Sequence, residues 1–383
     1  MIKLSGFSKE PTIENIDTYP TILDVMECIS RSEELNNSFD QPLLMNVTRE
    51  FHNLNKLGYS YIIRDDAIGM NLLMPSGRSM RYVFRGQAKY YEPCLPILWR
   101  ERNLQKRIQD TWKSYFYTAE MIIAMNSHPI INQYINNPII YSDGYKKTKI
   151  DIPIQYDGLA QHYGIPTKYL DITIDKWVAA FFATTITIND TYQPFLVDEN
   201  TEFTQRYGVF YLIELPHIND SIVRQYGVIP IGQQYFNRPG AQSALILNLN
   251  VIKDINHCPF VTKIFFRHDN VANKIIFSLS LNGAKYFPTD SLDNLVKKII
   301  NDSNNNISIQ AVELARKIYF KCFSIQMLKE IAHDIGLNVL QSNGMTFEKE
   351  DVDNDVKKWQ DGDDKRYLDR IMNFGNIIKP IFN

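Results

Sequence analysis

The side chains of this chain best suited to holding an anion or a flat ring fall into two short blocks. The first is Met80-Arg81-Tyr82-Val83-Phe84-Arg85-Gly86. Strand alternation puts Met80, Tyr82 and Phe84 on one face and Arg81, Val83 and Arg85 on the other. An arginine at a strand end can grip a phosphate or carboxylate in a fork, although an ordinary ion pair would use the same residue. Gly86 frees the backbone for a turn or a close approach. The second block runs Gln161-His162-Tyr163-Gly164-Ile165-Pro166-Thr167-Lys168-Tyr169-Leu170-Asp171. It gathers an imidazole, a phenol, a hydroxyl and an ammonium around one turn, a set suited to a small anionic ligand with a flat ring. Tyr163 or His162 would stack on the ring while Arg85 and Lys168 meet phosphates. The plain alternative is that His162 and Tyr163 pack into the domain. Asp171 lies in an apolar run, where a buried carboxylate needs a partner. Arg85 is the expected partner, and Asp171 would then orient it. Arg238, in Asn237-Arg238-Pro239-Gly240, is a second phosphate candidate or simply a loop arginine.

These blocks resemble the FRG family, named for the Phe-Arg-Gly tripeptide and found mostly in bacteria and their phages. The match runs through Phe84-Arg85-Gly86-Gln87, Tyr91-Glu92-Pro93, Leu98 and Arg100, then Leu159 to Gly164, Pro166-Thr167-Lys168 and Leu170-Asp171. It continues through Val178-Ala179-Ala180-Phe181-Phe182-Ala183, Arg238, Gln242 and Phe287-Pro288-Thr289-Asp290-Ser291-Leu292, and so covers residues 80–300. Lys168 stands where an arginine is expected, and Ser243-Ala244 replaces a glycine-containing stretch. The layout is similar to that of ADP-ribosyltransferases: an arginine on an early strand, an aromatic polar block, and a late polar residue on a third strand.

The resemblance implies an α+β fold, with a mixed central sheet of FRG or ADP-ribosyltransferase-like type and helical additions at both ends. It implies NAD as substrate, no metal, and catalytic roles for Arg85, Tyr163 and Gln242. Ligand contacts would come from Arg85, Gly86, Gln87, His162, Thr167, Lys168 and Arg238, with Asp171 orienting. The activity would be ADP-ribosyl transfer to an unknown macromolecular acceptor, or NAD hydrolysis, in a toxin or phage-defence effector. The rival is a non-catalytic module that senses a nucleotide or other ligand and regulates a partner. In the enzymatic reading the bond between nicotinamide and ribose breaks through an oxocarbenium-like state. The late residue is commonly a glutamate, and Gln242 can bind the ribose 2′-hydroxyl but offers the cation no charge. Turnover would then be slow, or the carboxylate would come from Glu92.

Composition bounds the rest. The 383 residues are 44% hydrophobic and 22% charged, ordinary for a soluble globular protein. A net charge of −2 gives no long-range attraction to nucleic acid or an anionic membrane. Cys28, Cys94, Cys258 and Cys322 match no zinc-ligand spacing and read as free thiols. Met1-Ile2-Lys3 begins no signal peptide, and the apolar run Trp177 to Ala183 falls far short of the ~20 residues of a membrane span, so a cytoplasmic location is expected. Walker, GxGxxG, HExxH and GxSxG motifs are absent, so a bound dinucleotide would be held in a non-Rossmann manner.

Three parts are expected: a helical segment at 1–75, the FRG domain at 76–300 and a helical extension at 301–383. Apolar spacing predicts helices at 21–29, 41–57, 103–127, 309–323 and 324–335. The stripe Trp112, Tyr115 and Phe116 reads as core. Asp65 to Ser79 reads as a turn-rich lead into the Phe-Arg-Gly strand. Asp151 is expected to cap a helix that ends at Gly164. A buried strand at Tyr169 to Thr173 precedes a helix through Thr184, capped by Thr173 or Asp175. Strands follow at Gly208 to Leu215, Ser243 to Leu249, Val261 to Arg267 and Lys274 to Leu279, then a helix from Asp290 to Ile300. Asn301 to Asn306 reads as a linker. Asp351 to Asp355 reads as a solvated turn, because Val356 and Gly362 stand where a calcium loop needs Gly and Glu.

Overall fold

The computed structural model describes residues 4–37, 59–65, 70–75, 82–136, 139–142, 147–150, 154–188, 191–214, 228–231, 236–248 and 254–361. Tyr82–Gln87 (β1), Tyr169–Thr173 (β2), Tyr207–Glu214 (β3), Val228–Pro230 (β4), Ala244–Asn248 (β5) and Val261–Arg267 (β6) form the main sheet, in the order β4-β5-β2-β1-β3-β6. Every pairing in it is antiparallel. The fold is therefore α+β, with an antiparallel central sheet where a mixed one was expected.

Helices that frame the sheet and the candidate site include Ile22–Asn37 (α1), Leu104–Ser127 (α2), Tyr156–His162 (α3), Lys176–Thr184 (α4), Asn270–Leu279 (α5), Ser291–Ile300 (α6), Ile309–Ile318 (α7), Ile325–Asp334 (α8) and Lys349–Asp361 (α9). One face of the sheet buries Val83, Leu170, Ile172, Tyr211, Leu245 and Leu247 against Tyr19. The other buries Phe84, Phe210, Ile264 and Phe266 against Ile22, Val25 and Met26 of α1 and Val178 to Phe181 of α4. A third apolar cluster joins α2 and α3 to α6, α7 and α8 through Phe116, Leu159, Leu295, Val312 and Leu328. The stripe on α2 is core, with Trp112 stacked 4.2 Å from Phe320. Glu120, buried on the same helix, accepts from the Ser308 amide and hydroxyl, each at 2.8 Å, and from the Met345 amide at 2.5 Å.

Several local expectations change. Lys274 to Leu279 is helix rather than strand: Asp269 accepts from the amides of Val271 and Ala272, and buried Ala272 and Ile276 fall one turn apart. The lead expected at Asp65 to Ser79 contains a strand, Met70–Pro75, paired with Tyr59–Asp65. The helix before Gly164 starts at Tyr156 with no side-chain cap, so Asp151, outside the described residues, is not its N-cap. The helix expected at 41–57 also lies outside the described residues. The acidic run at 351–355 is part of helix α9, where Asp355 is buried, takes the Ser291 hydroxyl and sits 3.3 Å from His128 Nε2.

Gly86 makes one contact that no other residue could. A β-carbon there would lie 1.8 Å from the Ala179 carbonyl oxygen and 2.8 Å from Ala183 Cβ. Strand β1 and helix α4 thus touch backbone to backbone. Gly86→Ala must push them apart and is expected to cost about 1–3 kcal/mol, read by urea denaturation. A variant as stable as the parent would show that α4 is free to move.

Candidate functional site

The sheet parts at the Phe-Arg-Gly motif. β1 runs beside β3 from Tyr82 opposite Glu214 to Gln87 opposite Val209, and β2 beside β5 from Tyr169 opposite Asn248 to Thr173 opposite Ala244. Between β1 and β2, however, a single pair forms, Phe84 with Thr173. Beyond it the strands diverge, and Arg85 fills the opening by donating an N–H to the Asp171 main-chain carbonyl at 2.6 Å. Arg85 Nε is buried and has no hydrogen-bond partner.

The ion pair expected between Arg85 and the Asp171 carboxylate does not form, and the pleat explains why. Phe84 and Thr173 are opposite one another and share a face, so Asp171, two residues before Thr173, leaves the sheet on that face. Arg85 follows Phe84 and leaves on the other, level with Tyr211. Asp171 is also not buried, its side chain being 46% exposed.

A second guanidinium, Arg100, stands in the segment that follows β1. Arg100 ends a helical turn, Ile97–Arg100, donates from Nε to the Leu95 carbonyl at 2.9 Å and lies 5.8 Å from the centre of the Tyr91 ring. Partial desolvation and the charge of Arg85 hold it below the ordinary arginine value. The sequence quoted Arg100 only as part of the family resemblance; strand-end position singled out Arg85, and nothing local marked its companion.

On the Asp171 side, helix α3 presents Gln161 and His162. Gln161 donates to Asp171 Oδ1 at 2.5 Å and accepts from the Thr167 hydroxyl. His162 Nε2 lies 3.5 Å from the same oxygen without hydrogen-bonding it. Burial pushes the imidazole below its usual range, with Asp171 opposing, so it is neutral at pH 7. Gly164, at φ +100°, turns the chain after α3 and makes this juxtaposition possible. Lys168 Nζ lies 5.4 Å from the Tyr169 ring centre.

The remaining candidates form a supporting layer. The Tyr163 hydroxyl bonds Asp290, and the Arg238 guanidinium covers its ring at 4.5 Å. Arg238 itself donates to the His162 carbonyl at 2.9 Å and to Asp293 at 2.5 Å. Buried Gln242 donates its side-chain amide to the Tyr286 carbonyl at 3.0 Å, while its main-chain carbonyl accepts from the Thr173 hydroxyl at 2.7 Å. Gln87 accepts from the Cys94 thiol at 3.4 Å. Glu92 is exposed and takes the Tyr90 hydroxyl; with Asp254 and His257 it brings ligand-type atoms within 4.8 Å of one another. Arg85 thus lies on one side of the opening and Gln161, His162 and the Asp171 carboxylate on the other, whereas Tyr163, Arg238 and Gln242 are engaged behind it.

Burial raises Asp290 to about 6, against the pull of Tyr163 and Arg238. A carboxyl raised on folding keeps its proton in the native state while the unfolded chain has lost it, so its contribution to stability falls between pH ~4 and ~6. Asp290→Asn, which keeps one acceptor oxygen and cannot titrate, should lose that part of the pH dependence. Urea melts of both proteins at pH 4 and pH 7 test it; parallel pH profiles would refute the assignment.

No curated protein and no solved structure matches the chain. A family match begins at residue 80, just ahead of β1, and ends at residue 191, short of Arg238, Gln242 and the Phe287–Leu292 block. Across residues 80–191, the stretch that holds Arg85, Arg100, the Gln161–Asp171 block and the parting of the sheet, the chain carries an FRG domain.

Proposed function

We propose that the opening between β1 and β2 takes a phosphate-bearing nucleotide, with NAD the first candidate, and consumes it in ADP-ribosyltransferase-like fashion. The observation that carries this reading is Arg85, whose Nε is buried without a partner at the point where the sheet parts. A desolvated guanidinium with open donor capacity favours an anion over water. Arg85, the Gln161–Asp171 block and Gln242 also fall on or beside three neighbouring strands, β1, β2 and β5, which suits the layout of such enzymes.

The residues would divide the work as follows. Arg85 holds phosphate oxygens on one face of the opening. Asp171, oriented by Gln161 and open to solvent, puts a carboxylate on the other. As the bond between nicotinamide and ribose breaks, nicotinamide leaves with the electron pair and positive charge develops on the ribose. Asp171 is placed to stabilise that charge, a task that a neutral Gln242 amide bonded to Tyr286 cannot perform. Water, or a nucleophile of a macromolecular acceptor, then bonds to the anomeric carbon and loses its proton. A toxin or phage-defence effector working in the cytoplasm would fit such chemistry.

A second reading, a non-catalytic nucleotide sensor, is favoured by one contact. The Tyr319 hydroxyl at the end of α7 donates to Asp157 in the first turn of α3, the helix that carries Gln161 and His162. Occupancy of the opening would then be felt by the C-terminal helices.

Purified protein incubated with NAD separates the two. In the enzymatic reading nicotinamide is released, Arg85→Ala abolishes release with the fold intact, and Asp171→Asn lowers turnover by about 10²–10³-fold. Calorimetric nucleotide binding that depends on Arg85, without nicotinamide release, points to the sensor. Folded protein showing neither defeats both.

A further inference from the structure

We infer that Glu92 and His257, with Asp254 behind the imidazole, form a site for a divalent transition cation, zinc the first candidate. The ion would tie the segment after β1 to the turn Asp254–His257 ahead of β6. The inference goes beyond the nucleotide reading and does not depend on it.

The three side chains bring ligand-type atoms within 4.8 Å of one another, and the imidazole sets them apart from a mere cluster of carboxylates. Each group has its own task. Asp254, its side chain 11% exposed, serves to orient. Its Oδ1 accepts from the Cys94 and Asn256 amides, each at 3.0 Å, and its Oδ2 lies 3.0 Å from His257 Nδ1. A carboxylate at that nitrogen holds the Nδ1 proton and leaves the Nε2 lone pair free, as the carboxylates behind metal-bound histidines do. Nε2 in turn lies 3.7 Å from Glu92 Oε1. Two bonds of about 2.1 Å to one zinc ion span that gap at an angle a little wider than tetrahedral. Glu92 Oε2 is taken by the Tyr90 hydroxyl, which Lys263 Nζ approaches at 3.3 Å, so Oε1 is the oxygen left for an ion.

The turn is fastened on both sides. Asn256 donates to the Tyr91 carbonyl at 2.8 Å and accepts from the Tyr211 hydroxyl of β3 at 2.9 Å. Glu92 and His257 themselves are open to an ion and the waters that would complete its shell, with side chains 54% and 72% exposed. Protonated, the same imidazole would make only solvent-screened ion pairs, which contribute little. A donor set of imidazole and carboxylate suits zinc and its neighbours better than magnesium or calcium, which prefer oxygen alone.

The probe is Zn²⁺, titrated into the full chain at neutral pH in competition with a chromophoric chelator, with Mg²⁺ as comparison. The expected result is a saturable Zn²⁺ site that Mg²⁺ does not fill. His257→Ala and Glu92→Gln, both at exposed side chains, should keep the parent's melt and each weaken Zn²⁺ binding at least about tenfold. Zn²⁺ should raise the melting temperature of the parent and leave that of His257→Ala where it was. A further readout needs no variant: Zn²⁺ should slow diethyl pyrocarbonate modification of His257, followed by peptide mass spectrometry. No saturable binding to the folded parent, or an unprotected His257, would overturn the inference. So would unchanged affinity in either folded variant, which would put the ion on the cysteines or elsewhere.

Discussion

The single residue pair that joins β1 to β2 is the constraint on which the site depends. Elsewhere the sheet is laddered continuously, and each strand satisfies its neighbour's backbone groups. Where β1 and β2 diverge, one strand leaves main-chain groups unpaired, and burying them unpaired would be costly. Arg85 answers that demand with an N–H to the Asp171 carbonyl, and in doing so is pinned at the mouth of the opening. The same arginine thus supports the sheet and sets a buried positive charge where it parts. Helix α4 packs directly onto the same strand at Gly86.

Behind the opening lies a layer of buried polar groups that fixes α3. Tyr163 and Asp290, Arg238 and Asp293, and Gln242 and Tyr286 tie the α3 end and the turn at Asn237–Ala241 to the start of α6. Such groups specify position more than they add stability, since their desolvation offsets much of what they gain. Helix α3 is also gripped from its other end, where Tyr319 meets Asp157.

Local signals carried well into the structure. Gly164, Pro166 and Asp175 punctuate the chain clearly enough that β2 and α4 emerge where the sequence puts them, with Asp175 accepting from the Trp177 amide. Non-local facts did not. Which face Asp171 takes depends on its register with Phe84, residues separated by most of the domain, so the Arg85 ion pair was a reasonable expectation and a wrong one. The same limit applies to Tyr163, Arg238 and Gln242. Their polar character suggested chemistry, and their partners Asp290, Asp293 and Tyr286 lie far along the chain. Lys274 to Leu279 is a short apolar run whose period cannot tell strand from helix, and the Asp269 cap decided it.

The sheet order bears on what the family boundary means. Residues 80–191 contain β1 and β2, but their other neighbours, β3 and β5, lie beyond residue 191. A chain cut at that boundary would keep, of the main sheet, only the Phe84–Thr173 pair and would expose the remaining edges of two apolar strands, Tyr82–Gln87 and Tyr169–Thr173. Open edges of that kind recruit strands from other molecules and lead to aggregation. In this chain the matched segment is thus not a unit of folding by itself. Here the strands that complete the sheet, β3 to β6, come from residues 207–267, so the stretch that holds the Phe-Arg-Gly strand takes its fold from chain outside its own boundary.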